Sequence, residues 1–552
     1  MKKVVIIGGM AGGCKTAARL RRLDLNAEIT IIERLPFVSF GACGMPFFVR
    51  GDVDDFNQLM STAWGTVRSP EYFLEAKKIN VLTETNCTRI IPEQNKIEIQ
   101  DKLGNRSLLD YDFLVIATGS KPAMPKFPFP RSERISFFHS PLDALKLRKY
   151  AEQGKLSNAI IIGGGFIGCE LAEALSSLWG IEVVILEKEN YLVPRSFDTE
   201  ISSLLGKVME VNGIKIYTGA NVEKIDEKDE KCLVHFNDNI LETHFVFLVT
   251  GIEPEVELAR NAGIQIGEKG GIVVNSRLQT NIPNIFAAGD CIETINLVTS
   301  KPEIFALGSL ANRQGRVIAN NIAGINDEFD GAIGSISLKV FDVIFSSVGL
   351  NTACAKNYGI DAGFALASFY DRPHYYPENE VLFAKVLYQK GNGRLLGLQM
   401  CGKGEVSRYI DSFGILLKKS SKYLDLLDFE HSYTPPHSSP LNPLNYLGGI
   451  IQNQEMFGIK CVSPLEIHKL EYLCVDLRKE DETEQMPFEL GNITVDYDHF
   501  WKEIDKIPRD KKILCVCQKG PRALEVAIYL KQNGWEEVAY LGGGLQMLNS
   551  SF

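Results

Sequence analysis

The sequence contains no apolar run near the roughly 18 residues that a membrane-spanning helix requires, so no span is expected. It also has no excess of positive charge: 59 Lys and Arg stand against 69 Asp and Glu, a net charge of -10. Such a chain has no general electrostatic attraction for nucleic acid or anionic lipid, and an anionic ligand must be held by a local basic patch. Cysteine is sparse, 12 in 552 residues, too few for a disulfide scaffold, and no paired C-x-x-C motifs point to zinc or another metal. With 45% apolar and 23% charged residues, disordered and collagen-like classes are excluded too. The start, MKKVVIIGG, places two lysines before an apolar run, as a secretory signal does. The run stops at Gly8 without a cleavage site, so a buried strand fits better. The chain is expected to be cytoplasmic with its thiols reduced.

What is present is a repeated pattern of strand, glycine turn and helix. Residues 3–7 (KVVII) read as a buried strand, Gly8-Gly9-Met10-Ala11-Gly12-Gly13 as a turn, and the stretch to about Leu25 as a helix. A second strand over 27–33 ends on Glu33. The pattern recurs at 159–187, with Gly163-Gly164-Gly165-Phe166-Ile167-Gly168 in the turn and Glu187 ending the second strand. In such a unit glycines let the backbone approach a pyrophosphate, whose charge the helix N-terminus stabilises. An acid about 20 residues on takes the ribose hydroxyls. The second copy keeps the G-x-G-x-x-G frame, whereas Met10 occupies the second glycine position of the first. Two copies imply two dinucleotide-binding domains. Glu187 would repel a 2′-phosphate, which favours NADH, with NADPH as the other candidate.

Glu33, the Ala117-Thr118-Gly119 turn and the late Ala287-Ala288-Gly289-Asp290 turn complete a set of ordered motifs. Over about residues 1–455 this set resembles the two-dinucleotide flavoprotein reductases. The resemblance implies FAD, with Asp290 at its ribityl-phosphate region. Implied cofactor contacts are Gly8, Gly9, Ala11, Gly12, Gly13, Glu33, Arg34, Ala117, Thr118, Gly119, Gly163, Gly165, Phe166, Ile167, Gly168, Glu187, Gly251, Gly289 and Asp290.

Disulfide reductases of that family usually carry a C-x-x-x-x-C pair, but here Cys43 stands alone in Ser39-Phe40-Gly41-Ala42-Cys43-Gly44-Met45-Pro46. This resembles the single-cysteine branch of the FAD-dependent pyridine nucleotide-disulfide oxidoreductases: coenzyme A disulfide reductases, NADH-dependent persulfide reductases, and NADH oxidases or peroxidases. A lone thiol closes no intrachain disulfide, so a second sulfur or a peroxide must supply the oxidised partner. Peroxidase-type members carry a His in the first glycine turn where this chain has Ala11, which counts against peroxide chemistry. Coenzyme A members use basic side chains near the first helix. Lys15, Arg19 and Arg22 share one helix face and, with Ser39 and Phe40, are the expected substrate contacts, coenzyme A being the expected substrate moiety. Two positions depart from that branch: Ala42 replaces an Asn, and Ser438-Ser439-Pro440-Leu441-Asn442-Pro443 lacks a Lys. Tyr375-Tyr376-Pro377 and Tyr433 resemble two tyrosines that flank the reacting sulfur, the second from the partner subunit, which implies a homodimer. A phenol there can hand a proton to a leaving thiolate.

A second sulfur site is expected at the far end. The strand KKILCV runs into Cys517-Gln518-Lys519-Gly520-Pro521-Arg522 and then a helix, so Cys517 is expected at the lip of the loop, its thiolate favoured by helix amides and by Arg522. Four residues separate Cys517 from Arg522, one fewer than in phosphatase loops, which suits a terminal sulfur or another small anion. With VDLR at 475–478 and Leu541-Gly542-Gly543-Gly544, the loop resembles a single-domain rhodanese across about 465–552. Cys515, two residues back on the strand, should face the same way as Cys517.

The expected fold is therefore α/β: two Rossmann-like domains for FAD and NAD, an α+β dimerisation domain and a C-terminal α/β rhodanese-like domain. The expected boundaries are 1–120 and 251–330 for the split FAD domain, 121–250 for the NAD(P)H domain, 331–455 for dimerisation and 465–552 for the last, with a flexible link near 452–470. The expected enzyme uses NAD(P)H, FAD and Cys43 to reduce small persulfides, polysulfides or disulfides, with Cys517 carrying sulfur. Its rivals are an NADH oxidase reducing O2 and a non-catalytic flavin and thiol redox sensor.

Overall fold

The computed structural model describes residues 1–469, 471–488, 490 and 493–550. The chain divides into two compact units, one of Met1–Lys188 with Ala220–Ala332, the other of Glu189–Gly219 with the residues from Ile333 onward. The fold is α/β, as the sequence pattern implies.

In the first unit, Lys3–Ile7 is buried at every position but its first, as a strand covered on both faces must be. It lies at the centre of a parallel sheet ordered Ile285–Ala287, Phe113–Ile116, Lys3–Ile7, Glu28–Ile32, Asn80–Leu82. The strand Ile285–Ala287 thus joins a late stretch of chain to the first βαβ unit and delivers Asp290 to the carboxyl edge of the sheet, where open α/β sheets bind ligands. Helix Ala11–Leu23 leaves that edge and packs against helix Gly308–Ile322. The second βαβ unit pairs Glu182–Leu186, Asn158–Ile162, Phe245–Leu248 and Ile135–Phe137, all parallel. Its helix is Phe166–Ser177.

In the second unit, five antiparallel strands run in the order Ile336–Val340, Val343–Gly349, Leu395–Gly402, Val381–Gln389, Ala362–Tyr370. A parallel sheet follows, ordered Lys460–Val462, Val538–Leu541, Ile513–Val516, Leu473–Asp476, Ile493–Thr494. No flexible link fills 452–470 up to the last residue described there: helix Pro443–Phe457 runs through its start and the edge strand Lys460–Val462 follows. The helix persists because Asn442 caps it, its side chain accepting from the Leu444 amide at 2.9 Å, and because Leu447, Ile451 and Gln454 are buried along one face. Asn442 and Pro443, read above only as a family departure, are that helix's start signal.

The charged stretch 478–485 is ordered between two strands of this sheet. Glu480–Gln485 is a short helix, and Arg478 is wholly buried, its Nη2 2.8 Å from Asp476 Oδ2 and its Nη1 2.6 Å from the Met486 carbonyl. Asp476→Ala would leave that guanidinium charge buried without a counter-ion. It is expected to destabilise the C-terminal sheet by about 3–5 kcal/mol, read as a lowered Tm. Among the described residues no helix is long and apolar enough to cross a membrane.

Candidate functional site

The two glycine turns are built alike. Gly8 and Gly163 have φ of +110 and +116, and a Cβ at either would fall inside the carbonyl of Ala117 or Val249. Gly13 and Gly168, one helical turn on, pack against the Gly8 and Gly163 carbonyls with no room for a side chain. Each acid at the end of the second strand holds the middle of its own turn: Glu33 Oε2 accepts from the Gly9 amide at 2.7 Å and Glu187 Oε2 from the Gly164 amide at 2.6 Å. Glu33 Oε1 also accepts from Leu35, and burial pushes its carboxyl pKa up against the pull of these amides. The acids therefore shape the turns in addition to any ribose contact.

Neither helix that follows has an acidic residue in its first turn or a side chain capping it. Four amides at each N-terminus lack intrahelical partners, an arrangement suited to a pyrophosphate. A Cβ on Gly165 or Gly119 would meet open space. The residues present thus fit two dinucleotides. At the carboxyl edge of the first sheet, Thr118 Oγ1 donates to the Glu255 carbonyl, the Gly289 amide to Gln314, and Ser120 Oγ to Asp290 Oδ2 at 3.0 Å. Arg34 reaches Glu255 at 4.0 Å.

Cys43 sits in a single 3-10 turn, Ala42–Gly44, that feeds helix Met45–Arg50. The residue is exposed and its thiol is free. Protein atoms crowding the sulfur still raise its pKa, and the carboxylates of Glu170 and Asp290 push the same way. Asp290 and Cys43 therefore share one site. Glu170 is the residue that the sequence reading missed. It lies on helix Phe166–Ser177, where burial and then neighbouring Glu173 raise its pKa to about 7 against the pull of Arg50. Arg50, from the helix after Cys43, is ion-paired with Glu173. Glu170 thus gains its charge near neutrality and opposes ionisation of Cys43 as pH rises. Glu170→Gln is expected to lower the apparent pKa of Cys43 and speed its alkylation severalfold at pH 8, checked by iodoacetamide rate against pH.

Of the expected substrate contacts, Phe40 is buried in an aromatic cluster, with ring centres 5.8 Å from Phe37 and 5.1 Å from Phe56. Ser39 adopts a left-handed backbone, its amide donating to the Gly9 carbonyl at 2.7 Å and its hydroxyl accepting from Arg68. It braces the loop between the first turn and Cys43. On the basic stripe Lys15 is half-buried, Arg19 Nε is held by Asn320 at 2.9 Å and Arg22 is exposed. Tyr375 is 64% and Tyr433 46% exposed. The neighbouring Tyr375 phenol raises the Tyr433 pKa. Tyr376 is half-buried, its amide and carbonyl tied to Pro373 and Asn379, so Tyr375 is the member of the pair that meets Tyr433.

At the C-terminal loop, Cys517 lies beneath the surface instead of at its lip, with only 1% of its area exposed. Burial raises its pKa, opposed by the amides of Ala523 and Gly520 and by Arg522. The Gly520 amide donates to Sγ at 3.1 Å. Cys515 is buried on the strand, and its thiol pKa is pushed well up by burial. Arg522 makes a two-pronged ion pair with Glu482, Nη1 to Oε2 at 2.8 Å and Nη2 to Oε1.

Residues 2–322 match the model of a family described as pyridine nucleotide-disulphide oxidoreductase, and residues 336–442 the dimerisation domain of that family. The chain is 31% identical over 451 residues to an NAD(P)H coenzyme A polysulfide/persulfide reductase of Pyrococcus horikoshii, covering 82% of this chain and 98% of that one. It is 30% identical over 443 residues to an NADH oxidase of Methanocaldococcus jannaschii, covering 80% and 97%. The solved structure of a NAD-dependent persulfide reductase from A. fulgidus superposes with a TM-score of 0.94 at 36% identity, covering 99% of each chain.

Proposed function

Because the chain belongs to the pyridine nucleotide-disulphide oxidoreductase family, we propose that it is a flavoprotein using NAD(P)H to reduce coenzyme A-type persulfides, polysulfides or disulfides through Cys43. The observation that carries this reading is that Cys43 is the exposed free thiol and feels the charge of Asp290, which lies at the carboxyl edge of the first parallel sheet. Bound there, FAD and a nicotinamide nucleotide would supply two-electron transfer to sulfur. Residues 1–120 and 251–330 hold FAD through Gly8, Gly9, Gly12, Gly13, Glu33, Gly119 and Asp290. Residues 121–250 hold the nicotinamide nucleotide through Gly163, Gly165, Gly168 and Glu187, whose carboxylate disfavours a 2′-phosphate.

Cys43 attacks the donor's sulfur as a thiolate, forming a mixed disulfide or persulfide and releasing the thiol. Lys15, Arg19 and Arg22 serve the substrate's phosphates. Tyr375, and Tyr433 from the second subunit of a homodimer assembled on residues 331–455, protonate the leaving thiolate. Residues 465–552 form a rhodanese-like module in which Cys517 carries sulfane sulfur, and the protein works in the cytoplasm.

The NADH oxidase relative makes O2 the acceptor to test against. In rapid mixing of NADH-reduced enzyme, coenzyme A persulfide or coenzyme A disulfide is expected to reoxidise it fastest. Faster reoxidation by O2 than by either sulfur acceptor would overturn the proposal.

A further inference from the structure

Among the described residues three cationic side chains gather around Cys517, and carboxylates match two of them before any substrate arrives. Arg478 is buried against Asp476 and backbone carbonyls. Lys519 lays its Nζ 3.1 Å from the centre of the Tyr370 ring, where burial lowers its pKa. Arg522 is a cation whose charge favours the Cys517 thiolate, and it shares its guanidinium with both oxygens of Glu482. That bond holds the Glu482 carboxyl below its usual range and Arg522 above its own. Glu482 and any anion at Cys517 therefore compete for one guanidinium. What remains for a substrate is the Lys519 ammonium, drawn onto the Tyr370 ring, and the loop amides, with Gly520 already on Sγ.

We propose that Glu482 sets the class of sulfur donor at Cys517: by neutralising Arg522 it admits persulfides of thiols and turns away dianionic donors such as thiosulfate. The inference rests on the reading of Cys517 as a sulfur carrier. With a persulfide RSSH, the Cys517 thiolate attacks the outer sulfur. A new S–S bond forms on Cys517, the donor's S–S bond breaks, and RS⁻ leaves with its electron pair and takes up the proton of the transferred sulfur. With thiosulfate the same displacement expels sulfite. It brings two further negative charges beside a thiolate whose guanidinium neighbour, Arg522, is already paired with Glu482.

The test uses the full-length flavoprotein, with cyanide as acceptor and thiocyanate as readout, so that Cys517 is regenerated. Donors are thiosulfate and glutathione persulfide. Wild type should favour the persulfide in kcat/KM, and Glu482→Gln should raise the thiosulfate value about tenfold or more while the persulfide value stays within about threefold. Glu482→Asp, which keeps the charge, should retain the wild-type ratio. Should the Gln variant lose cooperative melting, Glu482→Ser removes the same charge with less bulk. An unchanged donor ratio in a folded neutral variant, or equal loss with both donors, would overturn the assignment. Cys517→Ser separates the two levels: transfer persisting from both donors would reject Cys517 as the carrier, whereas transfer lost in Cys517→Ser but indifferent to Glu482 would reject only the role of Glu482.

Discussion

A Cys43→Ser variant is expected to lose NADH-driven reduction of coenzyme A persulfide and coenzyme A disulfide by on the order of a thousandfold, while retaining NADH-dependent flavin bleaching. Cys43 is exposed and caps no buried group, so the isosteric hydroxyl should leave the fold intact. The dinucleotide turns at Gly8 and Gly163 lie on other elements, so electron entry should persist. What disappears is the sulfur that forms the covalent adduct, since a hydroxyl neither ionises near neutrality nor makes an S–S bond. The measurement is steady-state NADH consumption with each acceptor beside stopped-flow bleaching at the flavin band. Full turnover with both sulfur acceptors would reject Cys43 as the redox thiol. Loss of bleaching as well would mean that Cys43 supports the nucleotide sites themselves.

The environment of Cys43 adds a pH signature. Crowding and the Glu170 and Asp290 carboxylates all disfavour the thiolate, so rates that depend on attack by Cys43 should keep rising above neutrality. Ionisation of Glu170 near pH 7 adds a charge beside the thiol, which should flatten that rise in the wild type and not in Glu170→Gln.

The parts of the site legible in the sequence are those set by local geometry. Gly8, Gly163, Glu33 and Glu187 were readable because a tight turn between a strand and a helix leaves its mark within about 25 residues. Cys43 stood out because its glycine-rich surroundings lack a second cysteine. Long-range groups left weaker traces. The aromatic cluster that buries Phe40 follows no regular spacing: Phe37 and Phe56 meet Phe40, and Phe48 meets Phe56, only on folding. Glu482 reaches Arg522 across 40 residues, from a charged run that reads as solvated surface. The burial of Cys517 follows from packing that strand periodicity cannot report. Glu170 had a usable signal: with Glu173 it places two acids one turn apart on an otherwise apolar helix, where only a paired or functional carboxyl is tolerated.

Gly163→Val should block electron entry at the other end of the reaction. At a φ of +116 a β-branched residue is strained whatever its surroundings, and its Cβ would overlap the Val249 carbonyl. The turn must open, which displaces the Gly164 amide from Glu187 and the start of helix Phe166–Ser177 from the pyrophosphate position. Flavin bleaching by NADH is expected to slow about a hundredfold or more, while dithionite still bleaches the flavin and FAD content is unchanged, because the first turn is built on a separate sheet. Gly165→Ala provides the contrast. A Cβ there meets open space, so the melting temperature should hold, yet the methyl group enters the volume assigned to the pyrophosphate, and KM for NADH should rise severalfold with FAD retained. If Gly165→Ala left KM unchanged, the nucleotide would have to approach the helix from another side. If Gly163→Val released FAD, the two turns would not serve separate nucleotides, and the assignment of residues 121–250 to the nicotinamide would fall with it.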